Sequence, residues 1–358
     1  MKIGIVGLKN SGKSTIFSAL TGAEVEVSGY KKTPNLALIK VPDIRLDKIA
    51  EIFPDKAKIN STIDFVDIVE TAEVLGKGFS TDTINQLKYC DAILAVIRAF
   101  KEDTVPSPLG KIDIRTEYET VIADLIFSDI VIIEGRVSKL EKNLLKKKDE
   151  NEIFECEVLK KCLNCLDQNR FLNTVDFSER EDKILRGFQF LTYKPVIFVI
   201  NKCEEYLDKE RRTGNGLEIG EEIRQYDIIT ICGKLEKEIN ELDDEDADEF
   251  RKELGVEEKS IDILIQSAYK TLNLISFFTI GNDEVRAWAI NKGIHAKQAA
   301  GKIHTDFEKG FIKAEAVCWE DLIKYKSMGH CREEGVLRTE GKDYTVNDGD
   351  VILFKFNI

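Results

Sequence analysis

Residues 7–14 of this chain read Gly-Leu-Lys-Asn-Ser-Gly-Lys-Ser, the spacing GxxxxGKS. Each fixed position has a physical duty toward phosphate. The glycines let the backbone wrap around a phosphate and turn its N–H groups inward. Lys13 has the reach for β- and γ-phosphates, and the Ser14 hydroxyl can hold Mg²⁺. Lys13 is therefore the expected catalytic group, stabilising charge on the bridging and γ oxygens as water attacks in line. Two elements must position this loop. Residues 2–6, Lys-Ile-Gly-Ile-Val, form a short apolar run that reads as a buried strand. Residues 14–20 read as a helix whose N-terminus adds partial positive charge under the phosphates.

Three further pieces fit a nucleotide. Asn201-Lys202-Cys203-Glu204 follows an apolar run directly, at the place where P-loop GTPases carry NKxD. There Asn201 can tie this loop to the phosphate loop and Lys202 can cover the base with its stem. Glu204 stands in the position of the aspartate that pairs with guanine. Its extra methylene moves the carboxylate by more than about 1 Å, enough to spoil a bidentate pairing. Cys232-Gly233-Lys234 follows the next apolar run and offers backbone N–H groups to the base. Asp67, at the end of another such run, is the candidate carboxylate behind a Mg²⁺ ion, acting through the ion's water. GTPases read DxxG here, whereas this chain reads Asp67-Ile68-Val69-Glu70. The missing glycine removes an N–H that would contact the γ-phosphate, and Glu70 brings a negative charge toward it.

The apolar runs at 62–69, 92–98, 195–201 and 227–231 alternate with helical segments, which predicts a mostly parallel sheet with helices on both faces. Residues from about 125 to 192 interrupt that order. They are rich in Lys, Glu and Leu and lack proline, and Ile133, Val137, Leu140 and Leu144 recur at helical spacing. Two long antiparallel helices inserted into the nucleotide domain are expected, either as a simple solvated hairpin or as an arm that docks a partner. After about residue 274 alternating runs and turn-rich stretches predict a small α+β module. The expected division is 1–125 with 193–273 for the nucleotide domain, 126–192 for the helical insertion and 274–358 for the C-terminal domain.

The 358 residues carry a net charge of -13, which argues against broad, non-specific DNA binding through phosphate neutralisation. The acidic run at 241–253 reads as a solvated face. No apolar stretch approaches the roughly 18 residues that a membrane helix needs. No leader of charged-then-apolar type opens the chain, so a cytoplasmic protein with no membrane partner is expected. The eight cysteines should then be reduced thiols, and Cys162 and Cys165, one turn apart, read as packed thiols rather than a metal site.

With these elements in order, the chain resembles the YchF family of Obg-related P-loop NTPases over nearly its whole length. The most specific stretches are Glu284-Val285-Arg286-Ala287-Trp288, the segment from His304 to Ile312, and Glu340-Gly341-Lys342-Asp343-Tyr344 through Asp348-Gly349-Asp350. They look like that family's C-terminal TGS-type domain, which is β-grasp-like. Residues 41–47, Val-Pro-Asp-Ile-Arg-Leu-Asp, also match. The resemblance implies slow Mg²⁺-dependent hydrolysis of ATP at least as readily as GTP, and association with ribosomes or a ribosomal subunit. It implies nucleotide contacts from Asn10, Ser11, Gly12, Lys13, Ser14 and Thr15, with Asn201, Lys202 and Glu204 around the base and Ser14 at the metal, beside the Cys232, Gly233 and Asp67 read from their own positions.

The chain departs from the family at both switches. Aligning Pro34-Asn35 places Lys31 where the family has a Mg²⁺-binding threonine. The family's Asp-Ile-Ala-Gly and the glycines after it are missing, leaving only Gly76-Lys77-Gly78. A scaffold that binds nucleotide with little turnover is the alternative expectation. A weaker one makes the C-terminal module a small-ligand or RNA sensor using His304 and Asp306, whose plainer role is a hydrogen-bonded turn.

Overall fold

The computed structural model describes residues 1–22, 35–68, 78–102, 104–203, 226–253 and 259–357. The elements run β1 (Lys2–Val6), α1 (Lys13–Thr21), β2 (Asn35–Lys40), α2 (Ile44–Ile52), β3 (Ala57–Ile59), β4 (Thr62–Asp67), α3 (Thr81–Lys88) and β5 (Ala92–Arg98). Next come α4 (Ile114–Leu144), α5 (Glu150–Leu166), α6 (Glu179–Phe188), β6 (Val196–Asn201), β7 (Asp227–Ile231), α7 (Gly233–Asn240), α8 (Asp244–Glu253) and α9 (Ser260–Thr271). The remainder is β8 (Leu274–Ile280), β9 (Glu284–Asn291), α10 (Ala296–Ile303), α11 (Thr305–Lys309), β10 (Phe311–Cys318), α12 (Trp319–Tyr325), α13 (Met328–Glu333), β11 (Arg338–Glu340) and β12 (Asp350–Phe356).

The chain divides into two compact units, 1–37 with 64–263, and 38–63 with 264–358. In the first, the sheet order is β2-β4-β1-β5-β6-β7. The pairs β1–β4, β1–β5, β5–β6 and β6–β7 are all parallel. Every residue of β5 and β6 is buried, as strands covered on both faces must be, and their continuous apolar runs follow from that. Parallel strands end at one edge of the sheet, so the carboxyl ends of β1, β4, β5, β6 and β7 come together there.

The insertion folds as the helical pair α4 and α5, followed by the shorter α6, where two helices were expected. α4 is 31 residues long, about 46 Å of helix, and starts well before the expected position. Asp113 caps it by accepting the Thr116 N–H. α5 begins at an equivalent cap, Asp149. Arg136 grips Glu155 through two hydrogen bonds, and Lys160 pairs with Glu141. The hairpin is continuous with the sheet's packing, since Ile133, Leu140, Leu159 and Cys162 belong to the same apolar cluster as Ile93, Ile97 and Phe198. Burial pushes the Cys162 thiol up to about 12, which makes it an inert packing group. Deeper in α4, buried Asp129 accepts the Leu191 and Thr192 N–H groups and the Thr192 hydroxyl, fixing the chain's return to β6.

The second unit is built on the sheet β11-β10-β12-β8-β9-β3. β8 and β9 form a hairpin, β10 pairs antiparallel with β11 and β12, and β12 runs parallel to β8. Alternate residues face opposite sides. Phe277 packs on α10 through Ala296, Ala299 and Ala300. Phe278 packs instead with Leu46 and Ile49 of α2 and Leu322 of α12. Residues 38–63, expected inside the nucleotide domain, thus cover the second face of the C-terminal sheet. β3 adds to β9, and Arg45 ties the segment by pairing with Asp43 and Asp348 at 2.8 Å each.

Candidate nucleotide-binding site

At the end of β1 the chain turns at Gly7, where a side chain would collide with the Val96 carbonyl of neighbouring β5. Gly12 sits at φ 93 with the Asn201 side chain in the space a Cβ would need. Only glycine serves at both positions. Among the described residues no side chain caps the N-terminus of α1, a helix end of the kind that receives anions. Residues Gly12, Lys13, Ser14 and Thr15 are half-exposed at that helix start. Lys13 folds back over the loop, its Nζ donating to the Gly7 carbonyl at 2.5 Å and the Leu8 carbonyl at 3.0 Å. The Ser11 hydroxyl is buried, with no hydrogen-bond partner among the described residues.

β4 brings Asp67 to the same place. The Ser14 hydroxyl donates to its Oδ2 at 3.3 Å. Burial raises the Asp67 carboxyl above the usual carboxylate range, against the pull of the Lys13 charge and hydrogen bonds from Ser14 and Asn35. Ser14 and Asp67 offer only hard oxygens, the donor type that Mg²⁺ takes.

Asn201, the last residue of β6, joins two loops. Its Nδ2 donates to the Ser11 carbonyl at 3.1 Å, and its Oδ1 accepts the Gly233 N–H at 3.1 Å. Lys202 continues the pairing by donating its N–H to the Ile231 carbonyl. Cys232 is buried just ahead of α7. Glu204, Lys31 and Glu70 lie outside the described residues, as do Gly76 and Lys77. Gly78 and Phe79 are held by α4, their N–H groups donating to Asp124 Oδ1 and Ser128 Oγ.

Sequence reasoning missed a second set of polar groups at this edge. Arg98 ends β5, and Glu117, one turn into α4, accepts the Arg98 N–H at 2.9 Å. Both are fully buried, and burial raises the Glu117 carboxyl. A lone arginine after an apolar run gives no pattern that would single it out. In the second unit, His304 Nδ1 accepts the Asp306 N–H and caps α11, the plainer of the two roles expected for that pair.

A parallel sheet with a glycine-turned phosphate loop at its carboxyl edge, a lysine over the loop and a serine facing a carboxylate defines a P-loop NTPase. Comparison with known proteins narrows the class. A protein-family model described as 50S ribosome-binding GTPase matches residues 2–133. One for the YchF GTPase C-terminal region, described as protein of unknown function (DUF933), matches residues 274–357. The ribosome-binding ATPase YchF of Bacillus subtilis is 38% identical over 366 residues, covering 99% of each chain. That of Escherichia coli O157:H7 is 39% identical over 362 residues, covering 100% of this chain and 99% of the relative. The solved YchF GTPase of Schizosaccharomyces pombe superposes with a TM-score of 0.83 at 30% identity, over 99% of this chain and 97% of that one. The chain belongs to the YchF family.

Proposed function

We propose that this protein is a Mg²⁺-dependent purine nucleotide hydrolase that works on the ribosome and accepts ATP at least as readily as GTP. The phosphate loop carries the proposal. Its uncapped α1 terminus, its half-exposed Lys13 and Ser14, and Asn201 tying it to Gly233 form one connected set. The loop amides and Lys13 would bind the β- and γ-phosphates, with Asn10, Ser11, Gly12 and Thr15 lining the loop. Ser14 would hold Mg²⁺ directly and Asp67 through water. When bound, the ion neutralises phosphate charge. Water then attacks the γ-phosphorus in line as the bond to the bridging oxygen breaks, and Lys13 stabilises the charge moving onto that oxygen. Lys202, Cys232 and Gly233 would surround the base. Glu204 supports weak guanine selection by its length, and the bacterial relatives are named as ATPases.

Their names also support association with the ribosome, which would place the protein in the cytoplasm; no helix among the described residues is long and apolar enough to cross a membrane. We read residues 1–125 and 193–273 as the nucleotide domain, apart from the excursion at 38–63, with 126–192 as its arm and 274–358 as a TGS-type module. Purified protein with Mg²⁺ should release phosphate from ATP above a Lys13→Ala control and should sediment with ribosomal particles. Release equal to the control would refute hydrolysis, and absence from ribosomal fractions in every nucleotide state would refute the association. Lys31 and Glu70, which replace a threonine and a glycine at the switches, favour one second reading: a scaffold that binds nucleotide with negligible turnover.

A further inference from the structure

Arg98 is the largest fully buried side chain, and the nucleotide chemistry above makes no use of it. Its guanidinium fans out to three backbone carbonyls. Nε donates to Phe100 O at 3.2 Å, Nη2 to Val105 O at 2.8 Å and Nη1 to Pro106 O at 3.3 Å. The group also lies over the Phe100 ring, 4.5 Å from its centre. A buried cation is expensive unless its donors are paired, and the planar fork of arginine reaches acceptors in several directions from one position.

The Pro106 carbonyl has a second donor. Asn10 of the phosphate loop gives its Nδ2 to the same oxygen at 2.9 Å. Asn10 holds φ 64, in the left-handed region that asparagine adopts more readily than most residues. Phe100 approaches the loop from the other side, since a Cβ placed on Gly12 would lie 3.7 Å from its ring. The loop after β5 therefore touches the phosphate loop at Asn10 and near Gly12, with Arg98 between the two contacts. Glu117 holds the Arg98 backbone in turn.

We propose that Arg98 is a positioning residue of the nucleotide site. By clamping the carbonyls of Phe100, Val105 and Pro106 it fixes the acceptor that holds Asn10, and so presets the phosphate loop for a nucleoside triphosphate. A preset loop binds more tightly because less ordering is charged against the ligand. This rests on the hydrolase reading of the same site, and the test separates the two.

MgATP is titrated calorimetrically into wild type, Asn10→Ala, Arg98→Lys and the double variant, with thermal melting of each recorded. Each single change should raise the Kd about tenfold, the effect of one lost hydrogen bond. The double variant should also lose about tenfold, not about a hundredfold, because both residues act through one carbonyl. In turnover assays KM should rise with kcat unchanged, a split that general loss of folded protein does not produce. A folded Arg98→Lys protein with wild-type Kd, or a double variant that loses the product of the two effects, overturns the inference. Should Arg98→Lys melt too low for titration, Arg98→Gln, which keeps a side-chain donor without the buried charge, is titrated in its place; a wild-type Kd in that folded variant overturns the inference. Failure of wild type itself to bind MgATP overturns the hydrolase reading, and this inference with it.

Discussion

At the scale of single residues, Asp67 shows how a buried carboxylate works against folding. Its carboxylate faces Ser14 from a position only 6% exposed. Its raised pKa means that the folded protein holds this proton in a pH range where the unfolded chain has lost it. The Asp67 contribution to stability is therefore largest at low pH and falls as pH rises through the raised value. Asp67→Asn removes that term. Without nucleotide, the variant should melt at or above the wild-type temperature near neutral pH, and Mg²⁺ should no longer tighten its nucleotide binding. A clearly lower melting temperature together with intact Mg²⁺ dependence would show that Asp67 is a structural acceptor only. Lys13, Ser14, Asn201 and Gly233 were legible because their work depends on local spacing next to apolar strands. Arg98 and Glu117 were not, because their pairing depends on how β5 meets α4, a relation that no spacing in the sequence encodes.

At the scale of elements, the continuous apolar strands β5 and β6 follow from the sequence almost residue for residue. A strand buried on both faces must be apolar throughout, and that is a strong signal. The start of α4 was harder to see, since its first turns mix exposed Arg115 and Glu119 with Glu117, which is buried against the end of β5. The excursion at 38–63 was invisible. Its strand and helix look ordinary locally, while their partners lie far along the chain, as when Lys56 donates to Gly281 O across 225 residues. Leu46→Ala tests this packing. Leu46 is fully buried under the C-terminal sheet, so truncation should cost about 2–5 kcal/mol in chemical denaturation. A loss under about 1 kcal/mol would mean that α2 is not part of that core. The turn between α4 and α5 carries exposed Lys146, Lys147 and Lys148 beside Leu145, which is 88% exposed. If this tip meets ribosomal RNA, changing the three lysines to glutamate should weaken co-sedimentation and flatten its salt dependence, with nucleotide affinity unchanged. Unaltered sedimentation would assign ribosome contact to another surface.

At the scale of the whole molecule, a net charge of -13 and an intact phosphate loop set the terms together. An acidic chain is a poor general binder of nucleic acid, so the proposed association with a ribosome would have to come from a local surface and not from overall attraction. In the proposed function Lys31 and Glu70 would bear on turnover, whereas the loop, Asn201 and Glu204 would bear on which nucleotide is held. The central claim is that this site binds Mg²⁺-nucleotide through Lys13 without strong guanine selection. Calorimetric titration of ATP and of GTP, with Mg²⁺, into wild type, Lys13→Ala and Glu204→Asp tests it directly. The account predicts that wild type binds ATP at least as tightly as GTP, that Lys13→Ala loses most affinity for both, and that Glu204→Asp moves the preference toward GTP. A strong GTP preference in wild type, or full affinity in Lys13→Ala, would contradict it.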